Sequence, residues 1–246
     1  MPYSGASRKL ELLKWYLNYL YAWSTLFAMF AVYVHLYNRF KTDVGYSGCV
    51  WCILLEASTS PAEYFLFIIH VILLTAVYFG YDAEEGFEYV RYLAGTGRAA
   101  ALALKLALVG FACSTPLIAA KVFMGIVWEP YAATIPVEML EQVAGLALKL
   151  FFFSVYISSF AALVAQVLRK TSYTIWALST YFYVFETINP YQPWSPLNAP
   201  YMYYVVVLPQ SSIAEVIQQF FPNVLVFMLA LAALYVVYSR GEVKWR

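Results

Sequence analysis

Six stretches of this chain are apolar for long enough to cross a lipid bilayer, and that repetition limits the fold more than any motif does. Crossing the hydrocarbon as a helix takes about 20 apolar residues. Runs of that kind fall near 15–37, 61–81, 101–127, 143–168, 172–189 and 221–238. The polar connections between them leave little room for a soluble domain. Charged residues make up only 12% of the chain, against about 25% in a soluble domain. The expected fold is all-α: a polytopic membrane protein with six transmembrane helices over 15–246. Pro116 lies inside the third run and is expected to bend it by freeing the carbonyl of Ala112.

Cation placement orients such a chain. Arg8, Lys9, Lys14, Arg91, Arg98, Lys105, Arg169, Lys170, Arg240, Lys244 and Arg246 all fall on one side of the predicted membrane, in or beside its loops and termini. The opposite loops hold only Arg39 and Lys41, while Lys121 and Lys149 lie within runs. Both termini are therefore expected in the cytoplasm. Trp15, Trp51, Trp128, Trp176, Trp194, Tyr238 and Trp245 sit near run ends as an aromatic belt. With a net charge of +1 the chain has no field for collecting nucleic acid. Residues 1–14 read as an amphipathic interfacial segment, not a signal peptide, with a helix over 7–14, Ser7 as its cap and Leu10, Leu13 and Leu17 on one face.

The loop Glu84–Arg98 stands out because it is charged and helically patterned at once. Phe87, Val90 and Ala94 share a face, whereas Glu84, Glu88 and Arg91 fall on or near the opposite one, Glu88 and Arg91 at i, i+3. An ordered helix of this kind, too polar for hydrocarbon, is suited to presentation to a partner. On the other side, Pro190, Pro193, Pro196, Pro200 and Pro209 interrupt the segment 190–220. A short helix is expected to start at Ser211-Ser212-Ile213 and stop at Pro222. Two placements stay open for this segment: re-entrant or interfacial helices capping the outer end, or a loop resting on headgroups.

Gly95-Thr96-Gly97-Arg98 with Lys105 is the only glycine-rich stretch near cations, and it lacks the spacing and preceding strand of a phosphate-cradling loop. ATP-driven activity would therefore need another subunit. The succession Glu84, Glu85, Gly86, Leu93, Gly97, Arg98, then Lys105 inside the next run, resembles the ABC-2 type transporter permeases. The topology resembles theirs over nearly the whole chain, the sequence over about twenty residues. The family often has Pro where Gly95-Thr96-Gly97 stands here.

The resemblance implies that residues 84–95 form a coupling helix docking on an ATPase subunit that carries ATP and Mg²⁺. It also implies two ATPase copies and a second permease copy, the same chain or a related half. On that helix Phe87, Tyr89, Val90 and Tyr92 would supply anchor area, and Glu85, Glu88 and Arg91 register, with Gly86, Leu93 and Arg98 completing the motif.

Other constellations carry less. Cys49-Val50-Trp51-Cys52 lies in an external loop and resembles the pair of quinone-linked disulfide oxidases. The second external pair such enzymes need is missing, since the remaining cysteine is Cys113, in the third run. A loop-tightening disulfide and two inert thiols are the other readings, and two thiols fall short of a structural zinc site. Among groups inside the runs, His70 reads as a helix–helix hydrogen bond or a substrate ligand. Lys121, Lys149 and Glu186 reach similar depth, so Glu186 pairs with one of the lysines or both lysines snorkel to the outer interface. With only His35 and His70 available, no nucleophilic triad is credible. The expectation is a non-catalytic, cofactor-free permease subunit in the cell membrane. A membrane thiol oxidoreductase and a structural membrane subunit are the alternatives.

Overall fold

The computed structural model describes residues 61–85, 97–128, 137–188 and 213–240, together with the helical residues Leu26 and Phe30. Within that set the structure is helical, with no strand. Helix α1 (Pro61–Thr75) continues through a π-helical stretch, Ala76–Tyr81, into the single α-helical turn α2 (Asp82–Glu85). Then come α3 (Arg98–Trp128), α4 (Val137–Leu168), α5 (Thr171–Ile188) and α6 (Ile213–Arg240). The second to sixth apolar runs thus each coincide with a helix. The segment 7–14, most of the first run, Cys49 and Cys52, residues 86–96 and residues 189–212 lie outside the described residues.

Helix α4 is the hub, packing against α1, the π stretch, α3, α5 and α6. Its sequence explains this. Leu146, Leu150, Phe153, Ile157, Ala161 and Ala165 recur every three to four residues and are buried. Ser154, Ser158 and Ser159 let neighbours approach closely, because each hydroxyl donates to a carbonyl of its own helix: Leu150 O at 2.7 Å, Val155 O at 3.0 Å and Val155 O at 2.7 Å. A polar side chain that bonds back in this way can be buried without any partner helix. Thr75 does the same to Val71 O, and Ser114 to Gly110 O, both at 2.7 Å.

The closest crossing of α3 and α4 needs Gly110. A methyl there would sit 2.8 Å from Phe151 Cε2 and 2.9 Å from Val155 Cγ2. The outward faces are apolar as well. Leu104, Phe111, Phe123 and Ile126 of α3, Leu148 and Phe152 of α4, Trp176 of α5, and Leu225, Met228 and Leu229 of α6 are all exposed. Helices α3 and α4 contain stretches, Arg98–Phe123 and Val143–Leu168, long and apolar enough to cross a membrane.

One expectation is corrected. Pro222 does not stop a short helix, because α6 runs unbroken from Ile213 to Arg240 and joins the predicted external helix to the sixth run. One proline removes a single backbone donor, and the hydrogen bonds on either side carry the helix across it. Glu84 and Glu85 are helical and continue the stretch that starts at Pro61, while residues 86–96 of the predicted docking segment lie outside the described residues.

Candidate functional site

Two hydrogen bonds join Glu84, at the edge of the predicted docking segment, to the start of α5. Helix α4 ends at Leu168, and Arg169 takes a left-handed conformation (φ 52°), its N–H donating to Ala165 O at 2.8 Å. Such a residue closes a helix C-terminus, usually as glycine. Lys170 then starts α5, its carbonyl accepting from Thr174 N at 3.0 Å and Thr174 Oγ1 at 2.9 Å.

A lysine in that position has no side-chain acceptor for the exposed N–H groups of the first turn. The acceptor comes from elsewhere. Glu84 of α2 receives the Thr171 N–H on Oε1 and the Thr171 hydroxyl on Oε2, each at 3.1 Å. A carboxylate is the group that a helix N-terminus, with its partial positive charge, favours most. Glu84 therefore caps α5 from another element, and the start of the predicted docking segment is tied to the α4–α5 turn.

Gly80 permits this approach. A methyl at Gly80 would lie 2.9 Å from Thr171 Oγ1, 3.0 Å from Thr171 Cα and 3.2 Å from Thr171 N. Only a hydrogen fits between these backbones.

Lys105 lies against the same π stretch. It is 1% exposed, and its Nζ lies 4.9 Å from the ring centre of Phe79, 5.5 Å from Tyr238 and 5.8 Å from Tyr78. Tyr78 and Phe79 meet edge to face at 6.3 Å. Three elements, the π stretch, α3 and α6, thus build one enclosure in which aromatic faces surround an ammonium, an arrangement favoured by the ring quadrupoles. Its place in the sequence groups Lys105 with the cations in or beside the loop; the structure puts it in the interior.

The structure separates the predicted site residues. Glu85 belongs to α2, and Gly86, Phe87, Glu88, Tyr89, Val90, Arg91, Tyr92 and Leu93 lie outside the described residues. Arg98 is the exposed first residue of α3, whose first turn is closed by Ala101 N donating to Gly97 O at 2.9 Å. His70 is buried in α1. Lys121 is buried too, at 1% exposed, whereas Lys149 is only half-buried. The two lysines therefore differ although the sequence places them at similar depth. Glu186 lies in α5, and its side chain is outside the described set. Cys113 is a buried free thiol. No cluster of His, Cys, Asp or Glu among the described residues could hold a metal ion.

An apolar groove of about 650 Å³ opens between α3 and α4, with Phe111, Ile118, Phe123, Leu148 and Phe152 in its wall. Ser114 also lines it, but its hydroxyl is already bonded to Gly110 O. Sequence reasoning missed Gly80, Thr171 and the cage around Lys105. A glycine late in an apolar run was the one available signal for the close contact.

No protein-family model, no curated protein and no solved structure matches the chain.

Proposed function

We propose that this chain is a multi-pass cell-membrane permease subunit of an ATP-binding-cassette exporter. In this reading six helices cross the bilayer with both termini in the cytoplasm. A separate ATPase subunit, holding ATP and Mg²⁺, docks on residues 84–95, and the working unit pairs two permease copies with two ATPases. The observation that carries the reading is the anchoring of that segment. It begins on a helical turn tied to the α4–α5 turn through Glu84 and Thr171, and α3 starts at Arg98, shortly after it in the sequence. A lever needs a fixed base, and the Glu84–Thr171 tie supplies one. The bilayer part of the reading draws on the two stretches long enough to span and on the exposed Phe152 and Trp176, 66% and 74% accessible. Surface rings of that size are costly in water and suited to lipid.

The test is co-purification of the tagged chain from its native membrane in mild detergent. The expected result is a P-loop ATPase in equal amount, lost when Phe87→Ala and Arg91→Glu are combined. Absence of an ATPase under conditions that keep the complex together refutes the proposal.

A further inference from the structure

The π-helical stretch Ala76–Tyr81 is not needed to hold a docking segment in place. A plain α-helix over 61–85 would satisfy the backbone equally well. π turns are rare, arise where one residue more than an α-helix holds is accommodated, and persist when surrounding contacts fix them. Here those contacts are defined. Three consecutive residues face two partners: Tyr78 and Phe79 enclose the Lys105 ammonium, and Gly80 lies against the Thr171 backbone. Tyr238 of α6 closes the enclosure from outside the stretch.

We propose that Lys105 is a positioning residue whose caged ammonium pins this π register and couples it to α6. The register has two states. In the state seen here Glu84 meets Thr171 and two rings of the π stretch meet Lys105. Conversion to α geometry passes one residue along the helix. It turns the downstream residues by about 100° and moves them by about 1.5 Å. That motion carries the Glu84 carboxylate off Thr171 and the Tyr78 and Phe79 rings off Lys105 in one step. Loosening Tyr238 favours the conversion, and the conversion loosens Tyr238. The C-terminal helix and the segment after Glu85 are therefore linked through one side chain. This goes beyond the docking proposal and requires no ATPase.

The test is hydrogen exchange measured by mass spectrometry on the full chain in lipid nanodiscs without added partners. A desolvated cation–π contact is worth about 2 kcal/mol, more than a factor of ten in an opening equilibrium. Lys105→Met is expected to speed exchange by about tenfold or more, both in 76–85 and in 235–240, and to leave 146–165 of α4 unchanged. Lys105→Arg keeps a cation that stacks on aromatic faces and is expected to restore slow exchange. Unchanged exchange in the two segments, equal effects of Met and Arg, or a rise that includes 146–165 would each overturn the proposal.

Tyr238→Leu tests it independently of the lysine. Faster exchange in 76–85, to which Tyr238 does not belong, supports the link, and unchanged exchange there refutes it. Since no ATPase is present, failure here leaves the docking proposal to its own experiment.

Discussion

Gly80→Ala adds one methyl group at the point where the bundle is least able to absorb it. Of the three nearest atoms, Thr171 Oγ1 at 2.9 Å can rotate away, but Thr171 Cα at 3.0 Å and Thr171 N at 3.2 Å belong to the backbone of α5. The start of α5 must retreat by a few tenths of an ångström, and it carries both hydrogen bonds to Glu84. Overpacking of this kind costs about 1–3 kcal/mol, and loss of a cap at the surface about 0.5–1 kcal/mol. Alanine's better helix propensity returns about 1 kcal/mol. The net expectation is destabilisation of about 0.5–3 kcal/mol, or roughly 1–12 °C in melting midpoint at this chain length.

The assay is built into the molecule. Cys113 is buried in the core, so once Cys49 and Cys52 are replaced by serine a thiol-reactive dye reports core opening alone. Gly145→Ala is the control, since a methyl there meets nothing within 4 Å; it should raise the midpoint slightly through helix propensity alone. If Gly80→Ala melts at or above the parent temperature, as Gly145→Ala should, the close contact between the π stretch and Thr171 is refuted.

The remaining predictions use the same melt. Glu84→Ala and Thr171→Val should each cost about 0.5–1 kcal/mol, the tie being at the surface, and the double variant should cost less than the sum because both remove one interaction. Strict additivity would show that the carboxylate and hydroxyl do not meet. Tyr156→Phe should leave stability unchanged or raise it by up to about 1 kcal/mol. The Tyr156 hydroxyl has no hydrogen-bond partner among the described residues, although its ring packs on Phe160 and Phe227. A clear loss of stability would mean that the hydroxyl is bonded. Gly110→Ala should cost about 1–3 kcal/mol. Part of that should disappear in a Phe151→Ala background, and most of it when Val155→Ala is added, since Phe151 Cε2 at 2.8 Å and Val155 Cγ2 at 2.9 Å are the nearest side-chain atoms; an unrelieved cost in the combined background would place the crossing elsewhere.

The helices were legible because a run of apolar residues and its polar ends are local facts. The fourth run, 143–168, falls within α4, and its buried positions 146, 150, 153, 157, 161 and 165 repeat at the helical period. Contacts between elements were not legible. Thr171 is 87 positions from Glu84, and nothing near either residue marks the other. Glu84 reads as a charge near the outer face of a docking helix, which is how a carboxylate looks when its acceptor role is set by a distant helix end. The π register has no composition of its own either, since it is set by what Tyr78, Phe79 and Gly80 must reach. Pro222 misleads for the opposite reason. The local rule that proline ends helices fails where one missing donor is too little to end one.

The lysines show where sequence reading stops. Position along a helix is a count, about 1.5 Å per residue, and it correctly puts Lys121 and Lys149 inside apolar stretches of α3 and α4. Which way each side chain points depends on which neighbours surround its helix, and that is a property of the assembled bundle. Hence Lys121 is buried and Lys149 only half-buried, while Lys105, near the start of its helix, is as buried as Lys121. A cation close to a membrane-side loop is ordinarily counted as a topology signal. Enclosed by three rings from two other elements, Lys105 is instead a junction. Charge counts can orient such a chain, but they cannot separate the cations that orient it from those that hold its helices in register.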